Sequence, residues 1–273
     1  MKTPNRVHYE TVIMPAMPDL SDEDLMEFAI HHMCIILDES GSMTRHQGQV
    51  YQQLLCILNA LHKANQNSLD MRTLVKLAFF NKTVSIFNDT YLQPEQLADT
   101  LTVENYQCHG TTSAGAVYRF LDQELSRSNP AVRNLKKNDP GFTIVLITDA
   151  QVNDAENLRK EAHAMLESNR FYRDYCKFLV IYLGDENHKE DAIALANGDE
   201  KSVISLDSNC TALLSPIIVG STVNFADGTH VHSCSLADIA EEAKNREAEA
   251  SRSVTEMRDE DLAKLFASLM GKS

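Results

Sequence analysis

Five oxygen-bearing side chains, spread over three stretches, are the residues whose types and spacing could do chemistry. Asp38-Glu39-Ser40-Gly41-Ser42 follows the apolar run Met33–Leu37, and His109-Gly110-Thr111 opens a helical pattern. Thr148-Asp149 closes the apolar run Phe142–Ile147. Asp38, Ser40, Ser42, Thr111 and Asp149 together offer two carboxylates and three hydroxyls. These are hard donors that need no thiol or imidazole beside them. They select Mg²⁺, with Mn²⁺ or Ca²⁺ as alternatives, over zinc or copper. Alternate residues leaving a strand point the same way, so Asp38, Ser40 and Ser42 can share one focus while Gly41 lets the backbone turn between them.

The elements that must position these residues are legible from periodicity. Val50, Leu54, Ile57, Leu58 and Leu61 recur at helical spacing between Gly48 and Lys63. Val75, Leu77 and Phe79 alternate, and Val84 and Ile86 answer them across Asn81-Lys82 as a hairpin. Gln93-Pro94-Glu95 opens a short helix to about Leu101, and Ala114, Val117, Leu121 and Leu125 mark one face of a longer one. Ser126–Pro140 is polar and reads as a loop. Phe142–Ile147 and Phe178–Leu183 are strands buried on both faces, and Asp154–Ser168 is a helix with Leu158, Ala162, Met165 and Leu166 inward. His188–Ala196 is a short helix, Val203–Ser205 a last strand, and Asn209–Val219 helical despite Pro216. Strands separated by helices imply a doubly wound α/β domain over residues 29–223: a mostly parallel sheet with one antiparallel edge strand and helices on both faces. Ligands of such sheets sit beyond the carboxyl ends of the strands, where the three stretches fall.

The Asp-x-Ser-x-Ser loop at Asp38, Ser40 and Ser42, the Gly-Thr helix start at Thr111 and the Thr-Asp strand end at Asp149 resemble the metal-ion-dependent adhesion site of von Willebrand factor A domains. The resemblance covers about two thirds of the chain. It implies direct ligation by Ser40 and Ser42, a state-dependent role for Thr111, and water-mediated roles for Asp38 and Asp149. It implies an open metal position that an Asp or Glu carboxylate of a protein partner fills. Two positions depart from the pattern: His109 stands where the family usually has a glycine, and Ala150 follows the last aspartate where glycine is usual. Within the family, the compact Asp38–Met43 loop and the polar insert before Phe142 are most similar to bacterial and phage members of the tellurite-resistance type.

The 273 residues carry a formal net charge of −14. With no basic stripe to offset that, a nucleic-acid partner is excluded from the expectation. No run approaches the ~18 apolar residues that span a bilayer. The six cysteines form no CxxC pair, and Met1–Glu10 lacks the apolar core of a signal peptide, so a cytoplasmic, membrane-free protein is expected. Residues 1–28 and 224–273 read as extensions, the second a charged tail ending in the apolar group Leu262, Leu265, Phe266, Leu269 and Met270. His230, His232 and Cys234 alternate as on one strand face and supply too few ligands for a zinc motif. Met270-Gly271-Lys272-Ser273 lacks the earlier glycine of a phosphate-binding loop.

The function expected is a non-enzymatic, cation-dependent interaction module. The rival is a hydrolase or phosphotransferase using the same cation. A phosphatase nucleophile at Asp38 would want a second carboxylate where Ser40 stands, and Ser40 and Ser42 have no assigned base except His109.

Overall fold

In the computed structural model, residues 29–68, 71–135, 140–184, 186–206 and Ile218 are described. The expected extensions, His230, His232, Cys234 and the terminal apolar stripe lie outside those residues.

Six strands form one sheet: β1 (Ala29–Asp38), β2 (Met71–Phe80), β3 (Val84–Ile86), β4 (Gly141–Thr148), β5 (Cys176–Leu183) and β6 (Val203–Leu206). The spatial order is β3-β2-β1-β4-β5-β6, and every pairing is parallel except β2 with β3. The apolar runs produce this because both faces of the strands are covered. Odd-numbered β1 residues Met33, Ile35 and Leu37 enter one core with Leu54, Ile57 and Leu61 of α1 (Gln47–Asn67) and Leu97 of α2 (Pro94–Thr100). Even-numbered Cys34 and Ile36 enter the other, with Val117 and Leu121 of α3 (Ala114–Glu124) and Leu166 of α5 (Glu156–Ser168). The period-2 alternation of strand side chains thus divides one strand between two cores. Ile218, helical and fully buried, belongs to the α1 side.

Two sequence expectations need correction, and one further helix lies where the sequence pattern marks no element. The polar stretch Ser126–Pro140 contains a short helix, α4 (Pro130–Arg133), begun by Asn129, whose side chain accepts from the Ala131 N–H. A second short helix, α6 (Arg170–Tyr175), precedes β5 and begins at Asn169 in the same way. On α5, Ala162 and Leu166 are buried while Leu158 and Met165 are 52% and 41% exposed, so the helix touches the domain along a narrower line than its apolar pattern suggests. After β5, a 3₁₀ turn leads into α7 (Lys189–Leu195).

The chain moves outward from β1 to β2 in one direction and from β4 to β5 and β6 in the other. The loops leaving β1 and β4 therefore diverge, and the crevice between them is the switch point where such sheets bind ligands. Gly141 (φ +86°) opens β4 where a side chain would run into the Tyr175 carbonyl.

Candidate metal centre

β1 ends at Asp38, which is fully buried. One carboxylate oxygen accepts the Ser40 N–H at 2.9 Å and the other accepts the Thr148 hydroxyl at 2.6 Å. The Asp38 carbonyl accepts the Tyr106 hydroxyl at 2.7 Å. The carboxylate is thus held by two partners and the backbone of the same residue by a third. Burial pushes its carboxyl up to about 6; the Ser40 and Thr148 hydrogen bonds pull back, and the nearby Asp149 pushes further up.

A 3₁₀ turn, Gly41–Arg45, then carries the hydroxyls outward. The Ser42 Oγ donates to Asp149 Oδ1 at 3.1 Å, which makes Ser40 the donor in the 3.1 Å Ser40–Ser42 contact. Each serine oxygen keeps a lone pair outside this chain. Ser40 and Asp149 are buried, and Ser42 is half-buried. Asp149 also accepts from the backbone and side chain of Gln151 at 3.3 and 3.2 Å. Ala150 then takes φ +57°, the left-handed region, which explains why glycine suits this position; here a fully buried methyl occupies it at some strain.

The third loop is stitched to the other two. His109 N–H donates to the Glu39 carbonyl at 2.6 Å, and Gly41 N–H donates to the Gly110 carbonyl at 3.0 Å, with Gly110 at φ +76°. On its far side, Thr112 exchanges hydrogen bonds with Asn153, which follows β4: Thr112 N–H to Asn153 Oδ1 and Asn153 N–H to the Thr112 carbonyl, both 2.9 Å. Thr111 lies between these anchors and is exposed. Four of the five expected residues are joined by hydrogen bonds, while Thr111 shares the crevice through its backbone neighbours. The adjoining Thr112 is 2% exposed, and its hydroxyl has no hydrogen-bond partner among the described residues. Sequence reading passed over it because the Thr111-Thr112 pair is ambiguous until burial separates them.

Three further residues differ from expectation or were missed. By its sequence position Glu39 reads as a solvated loop residue rather than a sixth ligand; in the fold it is 9% exposed and accepts from Asn81 Nδ2 at 3.1 Å. Burial raises its carboxyl pKa, with His109 opposing. Asp154 reads from the sequence as the N-cap of the helix after it; in the fold it turns instead to α3, accepting from Gly115 N–H at 2.8 Å and Ala114 N–H at 3.3 Å. Thr148, unassigned from the sequence, holds both Asp38 and the Ala150 N–H, the latter at 2.9 Å.

These residues fit a hard cation. Two buried carboxylates share one polar chain, and neither forms an ion pair with a described Lys, Arg or His. Buried negative charge without a compensating partner is costly, and a cation relieves it. Among the described residues no three His, Cys, Asp or Glu side chains come together as a ligand set, so a cation here would lean on serine and threonine oxygens.

The fold is of the von Willebrand factor A-like, doubly wound α/β type, as similar solved structures bear out. The proximal thread matrix protein 1 of the mussel byssus is 14% identical with a TM-score of 0.51, covering 73% of this chain and 48% of that one. A second structure of that protein, with a zinc-occupied MIDAS motif, is 14% identical with a TM-score of 0.50 over the same shares. The D319A mutant of the PilB minor pilin from Streptococcus sanguinis is 12% identical with a TM-score of 0.51, covering 71% of this chain and 61% of that one. The chain thus spans about half the length of the mussel protein. No protein-family model and no curated protein matches the sequence. Among the described residues no helix is long and apolar enough to cross a membrane.

Proposed function

We propose that this chain is a non-enzymatic, divalent-cation-dependent interaction module that binds a carboxylate of a protein partner. The observation that carries the reading is the pair of buried carboxylates, Asp38 and Asp149, joined to the Ser40 and Ser42 hydroxyls without a described cationic partner. Ser40, Ser42 and one of the two threonines would hold the ion, Mg²⁺ by the chemistry of the donors, with Asp38 and Asp149 behind them. A bound cation supplies a Lewis-acidic position that an Asp or Glu side chain can enter. The protein's own part is to keep the hydroxyls converged and to leave the ion a net positive charge.

A hydrolase reading finds less support. The imidazoles beside the loops are engaged elsewhere: His46 accepts from Arg45 Nε at 2.9 Å, and His109 meets the Gln107 carbonyl at 2.7 Å and Asn81 at 3.4 Å. The finer placement, a cytoplasmic adaptor or scaffold in a bacterial or phage stress response of the tellurite-resistance type, rests on the motif resemblance.

The test is affinity capture from the source cell with Mg²⁺ and with EDTA, using the parent and Asp38→Ala. The expected result is a partner retained with Mg²⁺, released by EDTA and absent from the Asp38→Ala lane. Equal capture in all lanes would sink the reading. In a thermal melt Mg²⁺ should raise the Tm of the parent and leave that of Asp38→Ala unchanged.

A further inference from the structure

The amino ends of β4 and β5, roughly 25 Å from the candidate metal centre by strand rise, carry a cavity of about 600 Å³. Its lining includes Arg127, Arg133 and Arg170 together with Val132, Phe171 and Tyr175. On a chain of net charge −14, three guanidinium groups around one cavity form a local positive field that concentrates anions. Among the described residues neither Arg127 nor Arg133 forms an ion pair. Arg170 commits its Nε to Asp174 at 3.0 Å, which leaves its two terminal nitrogens to solvent.

The wall of the cavity is aromatic. Phe171 and Tyr175 stack with centroids 5.1 Å apart and planes 22° from parallel, and Tyr175 is 51% exposed. Phe171 in turn meets Phe142 edge-on at 5.3 Å, and Phe142 stacks on His32 at 4.7 Å. The exposed ring is therefore the last of a series that begins in the core, held in place before any ligand arrives. Guanidinium forks match phosphate oxygens two at a time, exposed ring faces stack on planar heterocycles, and the volume lies in the range of small-molecule sites.

We infer that this cavity binds a nucleoside phosphate, with the arginines on the phosphates and Tyr175 against the base. Phosphate charge alone would be satisfied by the arginines; the stacked ring pair is what favours a ligand with an aromatic part over a simple polyanion or an acidic peptide.

Calorimetric titration of the full chain in metal-free buffer with ATP, and separately with inorganic tripolyphosphate, tests this. Saturable ATP binding is expected, tighter than that of tripolyphosphate. Arg127→Gln combined with Arg133→Gln should weaken both ligands by about tenfold or more, since each loses charge-assisted hydrogen bonds. Tyr175→Ser should weaken ATP and leave tripolyphosphate unchanged. Both exchanged arginines and Tyr175 are exposed, so unaltered melting temperatures are expected and confirm folded variants. The inference is overturned if ATP fails to saturate in the millimolar range or if the arginine variant binds ATP as the parent does. Equal affinity for the two ligands, indifferent to Tyr175→Ser, overturns it in favour of a plain anion site.

Discussion

Thr112 is the residue at which burial adds most to the sequence pattern. Its neighbour Thr111 satisfies the same motif yet is exposed, whereas Thr112 holds a buried hydroxyl with no partner among the described residues. Leaving a buried hydroxyl unpaired costs about 1–3 kcal/mol, a strain that a ligand at that oxygen would relieve. Thr112→Val should therefore raise the stability of the cation-free protein by about 1 kcal/mol while removing most of the cation-induced rise in Tm. Thr111→Val should do neither. Urea unfolding with and without Mg²⁺ checks both, and loss of the cation response in Thr111→Val alone would assign the ligand to the exposed threonine. His109 and Ala150, the two departures from the motif, both leave the oxygen donors in place. The first is tied back to Asn81 and Gln107, and the second takes a positive φ.

At the scale of elements, two buried polar contacts hold the strands in place. His31 on β1 lies between Thr73 of β2, at 3.3 Å, and Thr143 of β4, at 2.9 Å. Burial, then the charges of His32 and Lys177, hold its pKa near 3, far below the ordinary 6.5. The unfolded chain thus takes up this proton first. Its contribution to stability is present above about pH 6.5 and lost as pH falls toward about 3. His31→Gln should show a shallower loss of stability between about pH 6 and about pH 4; an identical slope would move the acid sensitivity to another group. The second contact joins β2 to the end of α3: Lys76 Nζ lies 2.7 Å from Glu124, with side chains 5% and 8% exposed. Lys76 also donates to the Asp89 carbonyl at 3.0 Å, and Asn129 donates to Glu124 at 2.7 Å. Glu124→Ala should cost about 3–5 kcal/mol by stranding the ammonium, and Lys76→Met with Glu124→Leu should recover much of it. Denaturant midpoints of the single and double variants make that comparison.

For the whole molecule, the sheet order places the candidate metal centre and the arginine-lined cavity at opposite ends of the same strands. A cation at the first should tighten three loops together, because 38–42, 109–112 and 149–153 are already cross-linked by hydrogen bonds. Hydrogen exchange with Mg²⁺ should slow in those three segments in concert and stay unchanged around Arg127, Arg133 and Arg170. Slowing confined to 38–42 would mean that the loops do not act as one site.

Much of the architecture follows from the order of residues alone. The runs Met33–Leu37, Phe142–Ile147 and Phe178–Leu183 demand strands covered on both sides, and the helical spacing between them supplies the cover. Local chemistry also marked Asp38, Ser40, Ser42 and Asp149, because short polar side chains directly after buried strands have one open edge to occupy. Packing between distant segments decided the rest. It chose Thr112 over Thr111 for burial, turned Asp154 toward α3, and drew Thr148 onto Asp38 across 110 residues of chain. It also made α4 out of a polar stretch, set α6 ahead of β5, and gathered three arginines beside them. Periodicity reports which face of an element is apolar; which polar atoms meet across the fold depends on the tertiary register, and that exists only once the sheet has formed.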